Sequence, residues 1–291
     1  VFAMVQTLTK EKNLSIFPQN YFDYIVIDEV HHSGAKTYQN IFEYSKPKFL
    51  LGITATPERT DDYNIFELFD YNVAYEIRLQ DAMKEELLCP FHYFGIADIK
   101  VDGQEIDENT TIKNLTHDER VKHILEKSRY YSHSGEKLHC LIFVSKVEEA
   151  KILADKFNEL NIRAKALSSE NSDEEREKTI EQLESGELEY IISVDIFNEG
   201  VDIPCVNQII LLRPTTSAIV YIQQLGRGLR KNKGKDYTVI LDFIGNYEKN
   251  FLIPIAISQD NSYDKDFLKR FLMNATDFLA GESSINFDEI S

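Results

Sequence analysis

Two sets of residues in this sequence can do chemistry together. Near its start, the apolar run Tyr24-Ile25-Val26-Ile27 leads straight into Asp28-Glu29-Val30-His31. A carboxylate pair at a strand end can hold a divalent cation and orient a water molecule. Far downstream stands Gln223-Gln224-Leu225-Gly226-Arg227-Gly228-Leu229-Arg230, with two arginines behind a glycine on what reads as helix. Guanidinium groups so placed can neutralise charge on a transferring phosphoryl group. The acids and the arginines together spell nucleotide hydrolysis. The third part of such a machine, a glycine-rich phosphate loop with its lysine, is absent from the 291 residues.

Each residue also has a plainer use. Asp28 can hold a magnesium ion through its water shell, and Glu29 can polarise an attacking water as general base. An acid pair after a strand is also ordinary helix N-terminal charge. His31 stands one step further and can relay state to a neighbouring domain, while His31-His32 lack a ligand set for a metal. In Thr54-Ala55-Thr56-Pro57 the hydroxyls of Thr54 and Thr56 can bond to the acid loop and couple the two segments. Simple turn chemistry ending at a proline explains them equally well. In the run Asp195 to Pro204, Gly200 permits a tight backbone beside Asp202. Asp202 can accept from a ribose hydroxyl or position an arginine, and Ser193 and Asn198 can touch a phosphate backbone. That run is otherwise an ordinary loop. Ser145 and Lys146 follow another apolar run and can donate to nucleic-acid phosphate, or Ser145 can cap a helix.

These residues need a scaffold that sets them at strand ends. Val1 to Leu8, Tyr24 to Ile27 and Phe49 to Ile53 are β-rich runs without alternation, which predicts strands buried on both faces of a parallel sheet. Tyr38 to Tyr44 reads as helix between them. Gln80 to Leu88 predicts a short helix stopped by Cys89-Pro90, and Phe91 to Ile99 a strand. Asp102 to Asn114 reads as a polar loop. Thr116 to Glu119 fits a capping box opening a helix to about Tyr131. A regular alternation follows. Strands are expected at Leu138 to Val144, Arg163 to Leu167, Leu188 to Val194, Gln208 to Leu212 and Tyr237 to Phe243. Helices are expected at Val147 to Leu160, at Ser172 to Ser185 behind a second capping box, and at Ala218 to Arg230. With Phe91 to Ile99 this makes about six strands in a second α/β domain. Asn261 to Ala280 can hold a helix, and the acidic tail carries no pattern.

Composition narrows the classes. The apolar fraction of 43% and charged fraction of 28% suit a globular chain with real cores. No apolar run approaches the roughly 20 residues of a membrane span, and no secretory leader is recognisable. Cys89, Cys140 and Cys205 are scattered and odd in number, so they frame neither a zinc site nor disulfides, and a cytoplasmic setting is expected. The net charge of -17 opposes phosphate binding as a sum. Its distribution does not, because Ile203 to Lys235 contains no acid and holds Arg213, Arg227, Arg230, Lys231, Lys233 and Lys235. For Lys231 to Lys235 alone, a solvated basic turn is the simpler expectation. The opening Val1-Phe2-Ala3-Met4-Val5 resembles mid-strand, so the sequence is expected to be part of a longer chain.

In this order, the residues resemble a superfamily 2 DEAD/DEAH-box helicase. Asp28-Glu29-Val30-His31 is similar to motif II, Thr54-Ala55-Thr56 to motif III, Leu141 to Ser145 to motif IV and Asp195 to Asp202 to motif V. Gln223, Gly226, Arg227 and Arg230 fit the Q-x-x-G-R-x-x-R of motif VI, and Met4-Val5-Gln6-Thr7 resembles the strand ahead of motif II that touches nucleic acid. Leu87 to Gly95 and Leu241 to Tyr247 bring it nearest to the bacterial type III restriction enzyme helicase-subunit group, in which a phospholipase-D-like nuclease module can precede the motor.

The resemblance implies two RecA-like parallel-sheet domains. Residues 1–80 would be the C-terminal part of the first, 81–136 a connecting helix, strand and loop, 137–247 the second, and 248–291 an extension. It implies ATP and Mg2+ as cofactors, both needing the missing Walker A loop for tight binding, with Asp28 at the metal and Glu29 activating water. Arg227 and Arg230 would be arginine fingers, with His31, Gly200, Asp202 and Gln223 on the nucleotide side. Thr54 and Thr56 would couple the sites. Gln6, Ser145, Lys146, Ser193 and Asn198 would face a nucleic-acid strand, DNA in preference to RNA. The expected function is an ATP-dependent helicase or translocase in the longer chain, with this stretch alone unable to hydrolyse ATP. Two alternatives stand beside it. One is a nucleic-acid-binding scaffold with a dead motor. The other is a magnesium nuclease built on Asp28 and Glu29, which would want a further carboxylate and a lysine nearby.

Overall fold

The short apolar runs form parallel strands, as their lack of alternation predicts. The structure, a computed structural model, describes residues 1–30, 36–54, 64–77, 79–107, 109–194, 203–212, 226, 228–244 and 283–287. Two units divide the chain, Val1–Glu76 and Ile77–Ser291.

In the first unit, strands β1 (Tyr24–Ile27) and β2 (Phe49–Gly52) pair in parallel, with Tyr24 opposite Phe49 and Ile27 opposite Gly52. Helices α1 (Val5–Leu8), α2 (Glu11–Leu14) and α3 (Lys36–Tyr44) and a 3-10 turn at Ile65–Phe69 accompany them. Ile27, Val30, Tyr38 and Ile65 are buried together, with Val5, Ile25 and Leu50 packed against them.

Two expectations fail here. Residues Val5–Leu8 are helical, because a helix closes its own backbone hydrogen bonds where a strand needs a neighbour. Gln6 therefore sits on a helix. The strands also bury one face only. Ile25 and Ile27 turn to the core while Tyr24 and Val26 stay 72% and 58% exposed.

The second unit holds one parallel seven-stranded sheet, ordered β5-β6-β4-β7-β8-β3-β9. Its strands are β3 (Phe91–Ala97), β4 (Cys140–Phe143), β5 (Ala164–Leu167), β6 (Tyr190–Ser193), β7 (Gln208–Leu211), β8 (Thr238–Ile244) and β9 (Ser284–Phe287). Successive side chains go to opposite faces and build two cores. On one side Phe91, Tyr93, Phe143, Ile191, Ile209 and Leu211 pack with Leu183 and Leu229. On the other, Ile142, Ile192, Ile210 and Phe243 pack with Ile124, Leu153 and Phe157 from helices α6 (Asp118–Tyr131) and α7 (Val147–Glu159). The predicted α/β class and parallel sheet stand, with one strand more than the sequence suggests. That strand is β9, in the tail. It pairs with β3 and buries Ile285 in the first core.

Local signals explain most boundaries. Helix α8 (Asp173–Ser185) starts at Ser172, whose hydroxyl accepts from the Glu175 amide at 3.2 Å, and ends at Gly186 in the left-handed region. The Glu175 carboxylate takes the Asn171 side-chain amide at 2.8 Å, so only half of the expected box forms.

The box expected at Thr116 does not form. Thr116 closes the short helix α5 that precedes it (Ile112–Leu115), its hydroxyl donating to the Ile112 carbonyl at 2.8 Å, and His117 caps α6 instead. The helix expected over Gln80 to Leu88 is only the shorter α4, Leu79–Lys84, because Glu86 takes a left-handed φ of 53°. The expected polar loop after β3 folds on itself. Val101 and Gln104 bridge around Asp102-Gly103, a left-handed pair suited to a type I′ turn, and Val101, Ile106 and Leu115 are buried together. The helices expected at Ala218 to Arg230 and Asn261 to Ala280 lie largely or wholly outside the described residues. Among the described residues no helix is long and apolar enough to cross a membrane.

Candidate functional site

The acid pair is held by backbone bonds on both sides. The Ile53 amide donates to the Ile27 carbonyl at 2.9 Å, and the Val30 amide donates to the Ile53 carbonyl at 3.0 Å. Asp28 and Glu29 therefore lie between two tethers to the residue before Thr54. Ile27 and Val30, both buried, anchor the segment from below. Glu29 adopts φ 50°, an uncommon conformation for a residue with a side chain. Its amide donates to Asp28 Oδ1 at 3.0 Å. The backbone of Ile53 thus joins the acid loop to the segment that holds Thr54. His31 and Thr56 lie outside the described residues.

Asp28 is exposed, and one of its oxygens is engaged by the next amide. Such a carboxylate suits a magnesium ion shared with phosphate oxygens and water, which needs only one or two protein carboxylates. It does not suit a metal held by protein alone. Among the described residues no cluster of three or more His, Cys, Asp or Glu stands ready for one.

In the second unit, the carboxyl ends of all seven parallel strands share one edge, where ligands of open α/β sheets gather. Ser145 and Lys146 leave β4 at that edge. The β4 exit lies between those of β6 and β7, because the Val144 amide donates to the Ser193 carbonyl and the Leu212 amide to the Phe143 carbonyl. Ser145 is exposed, whereas Ser193 is fully buried with its hydroxyl unpartnered. Lys146 occupies the cap position of α7 without a side-chain cap bond.

Behind this exit lies a buried charge cluster with no signal in sequence spacing. Arg120 donates from Nε and Nη2 to Asp98 Oδ2 at 2.9 and 2.8 Å, and from Nη1 to the Leu115 carbonyl at 2.8 Å. Glu149 Oε1 lies 3.7 Å from Arg120 Nη1, and all three side chains are essentially inaccessible. The Glu149 carboxylate faces the Ser145 and Lys146 amides without closing a hydrogen bond of ordinary geometry. Burial pushes its carboxyl above the usual range, while Arg120 and those amides pull the other way.

The arginine segment lies elsewhere. Gly226 and Gly228 are helical, Leu229 is buried, and Arg230 is exposed and bridges to Leu88. A Cβ on Gly228 would meet Ile209 Cδ1 at 2.7 Å and Thr238 Cγ2 at 3.2 Å, so this helix end rests on the first residues of β7 and β8. The Cys89 amide, just before β3, donates to the Leu229 carbonyl at 2.7 Å. Within this unit, then, Ser145, Lys146 and Ser193 stand at the carboxyl ends of strands, and Arg230 stands at the amino ends of others. Gln223, Arg227, Asn198, Gly200 and Asp202 lie outside the described residues.

Lys235 corrects the expectation of a solvated basic turn. It is buried, and its ammonium donates to the carbonyls of Pro204, Val206 and Gly228 at 2.7, 3.0 and 3.0 Å. Lys231 does remain exposed, 3.6 Å from Glu86. Spacing hid Lys235, since a lysine between Gly234 and Asp236 looks like any surface turn. Asp242, another buried acid, stands near the carboxyl end of β8 and accepts from the Tyr93 hydroxyl at 2.9 Å.

Comparison with known proteins agrees with this layout. Residues 117–232 match the family described as "Helicase conserved C-terminal domain", and residues 1–59 match "Type III restriction enzyme, res subunit". A Saccharomyces cerevisiae protein described as "Putative ATP-dependent helicase IRC3" is 28% identical over 84% of this chain and 37% of its own length. Among solved structures, a fragment described as that of "a putative HsdR subunit of a type I restriction enzyme" from Vibrio vulnificus matches 96% of this chain and 50% of its own. Its TM-score is 0.65 and its identity 21%. Saccharomyces cerevisiae Dbp5 bound to RNA and ADP BeF3 matches 97% of this chain and 64% of its own, with a TM-score of 0.56 and 13% identity.

Fold and family matches together define a helicase with RecA-like domains. The chain belongs to the superfamily 2 helicases, in the part of that superfamily related to restriction-enzyme helicases. It spans half or less of the length of the first curated relatives it matches.

Proposed function

We propose that this chain carries most of the motor of an ATP-dependent helicase or translocase that acts on nucleic acid, with duplex DNA favoured over RNA. The observation that supports it best is the acid pair, pinned between two backbone bonds to Ile53 while Asp28 stays open to solvent. Those backbone bonds fix where the two carboxylates stand at the strand end.

In this reading Asp28 holds the magnesium that accompanies ATP, and Glu29 takes the proton from the attacking water. The bound Mg2+ supplies charge neutralisation on the phosphates. Arg227 and Arg230 stabilise the charge that builds on the transferring phosphoryl group, and His31, Gly200, Asp202 and Gln223 line the nucleotide. Thr54 and Thr56 report the state of the acid loop. Gln6, Ser145, Lys146 and Asn198 hold the nucleic-acid strand, with Ser145 the readiest donor because it is exposed at the carboxyl edge, whereas Ser193 is fully buried and drops out of that set.

The 291 residues contain no glycine-rich phosphate loop. We therefore infer that this stretch alone does not turn ATP over at a useful rate, and that a longer chain containing it does. The deciding experiment measures ATP hydrolysis by both, with duplex DNA, with RNA and with neither. DNA-stimulated turnover in the longer chain and none in this stretch is expected. No turnover in either would replace the motor with a binding scaffold, and stronger stimulation by RNA would reverse the substrate preference.

A further inference from the structure

Lys235 lies only a few residues beyond the arginine segment, and its contacts reach further than a turn lysine needs. Its stem enters the amino ends of the sheet. Its ammonium carries three hydrogens, and three carbonyls receive them: Pro204 and Val206, which follow the motif V run, and Gly228, the last helical residue of motif VI. A buried cation requires such compensation, and the carbonyls at a helix C-terminus are a natural partner for it. The Gly228 carbonyl also receives the Thr238 hydroxyl. Two segments that the sequence places far apart are thus joined at one charge.

We propose that Lys235 is a positioning residue that locks the exit of motif V to the end of motif VI and so fixes the backbone from which Arg230 projects. The proposal rests on the motor reading for its effect on catalysis, but the lock itself does not depend on it. Gly228 supports the assignment. Its lack of a side chain lets the helix end settle onto Ile209 and Thr238, close enough for Lys235 and Thr238 to reach the same carbonyl. An arginine held on a backbone free to drift by about an ångström loses on the order of 10²-fold in rate.

The test uses the longer protein carrying Lys235→Met, which keeps the stem and removes the charge. Hydrogen exchange is expected to accelerate at amides in 203–206 and 228–230 while β4 and β6 stay protected. The nucleic-acid-stimulated kcat should fall about 10²-fold with the KM for ATP little changed. Combining Lys235→Met with Arg230→Ala should be no slower than Arg230→Ala alone, because the lysine acts through the arginine. Should Lys235→Met not fold, Thr238→Val removes the second donor to Gly228 and should give the same pattern at smaller amplitude. Unchanged exchange at both segments, or multiplying losses in the double variant, would overturn the proposal. Full turnover by Arg230→Ala, with exchange still responding to Lys235→Met, would instead refute the motor role of the arginine and leave the lock standing.

Discussion

Tyr93 donates its hydroxyl hydrogen to Asp242 Oδ2 at 2.9 Å, along the β3–β8 ladder in which Asp242 itself lies opposite Gly95. Burial pushes the Asp242 carboxyl up to about 7, and the Tyr93 bond offsets part of that. The folded chain therefore holds a proton that the unfolded chain releases near pH 4. Stability from this group is present in full below about pH 4 and is lost as pH rises to about 7. Asp242→Asn should remove that loss and raise stability at about pH 8 by a few kcal/mol relative to the parent chain. Urea unfolding at about pH 5 and pH 8 checks it, and an unchanged pH slope in the variant would count against the assignment.

Arg120 is the cation for two buried carboxylates. Arg120→Met should cost about 3–5 kcal/mol, because Asp98 and Glu149 would be left buried without it. Adding Asp98→Asn and Glu149→Gln should recover part of the loss. Denaturant midpoints of the single and triple variants measure both, and a triple variant no better than the single would argue that packing, not charge, dominates.

Gly228 has no room for a methyl group. Gly228→Ala should cost about 1–3 kcal/mol by overpacking against Ile209 and Thr238. Ile209→Val removes the Cδ1 atom that lies closest, so the pair should be more stable than the sum of the two single losses predicts. Thermal unfolding of the four proteins in the cycle decides it.

Arg227→Ala in the longer protein should lower ATP turnover about 10³- to 10⁵-fold, as loss of an arginine finger does. Binding to nucleic acid without nucleotide should change little. Near-normal turnover would remove this arginine from the proposed reaction.

Much of the second unit can be read from its sequence. Cys140–Phe143, Tyr190–Ser193 and Gln208–Leu211 are wholly buried, so each is apolar apart from Ser193 and Gln208 at the strand ends. The acid pair at the end of β1 follows from the same pattern. What could not be read has physical causes. A run as short as Val5–Leu8 does not distinguish helix from strand by periodicity. Thr116 serves either of two adjoining helices, and only tertiary packing chooses. Strand β9 is four residues within an acidic tail, and it is a strand because β3 offers it an edge. The Arg120–Asp98–Glu149 cluster and the three carbonyls around Lys235 depend on segments brought together by the sheet, so no local spacing announces them.

The pairing of β3 with β8 also sets a timetable. Phe91, Tyr93 and Ile96 are fully buried, yet Phe91 lies opposite Thr238. During synthesis β3 emerges long before either strand that will flank it. At ribosomal speeds its apolar side chains wait on the order of ten seconds for β8. Pairings this distant along the chain also close slowly once both strands exist. A strand that buries Phe91, Tyr93 and Ile96 in the finished sheet is thus an exposed apolar segment in the nascent chain, which a holding chaperone would bind.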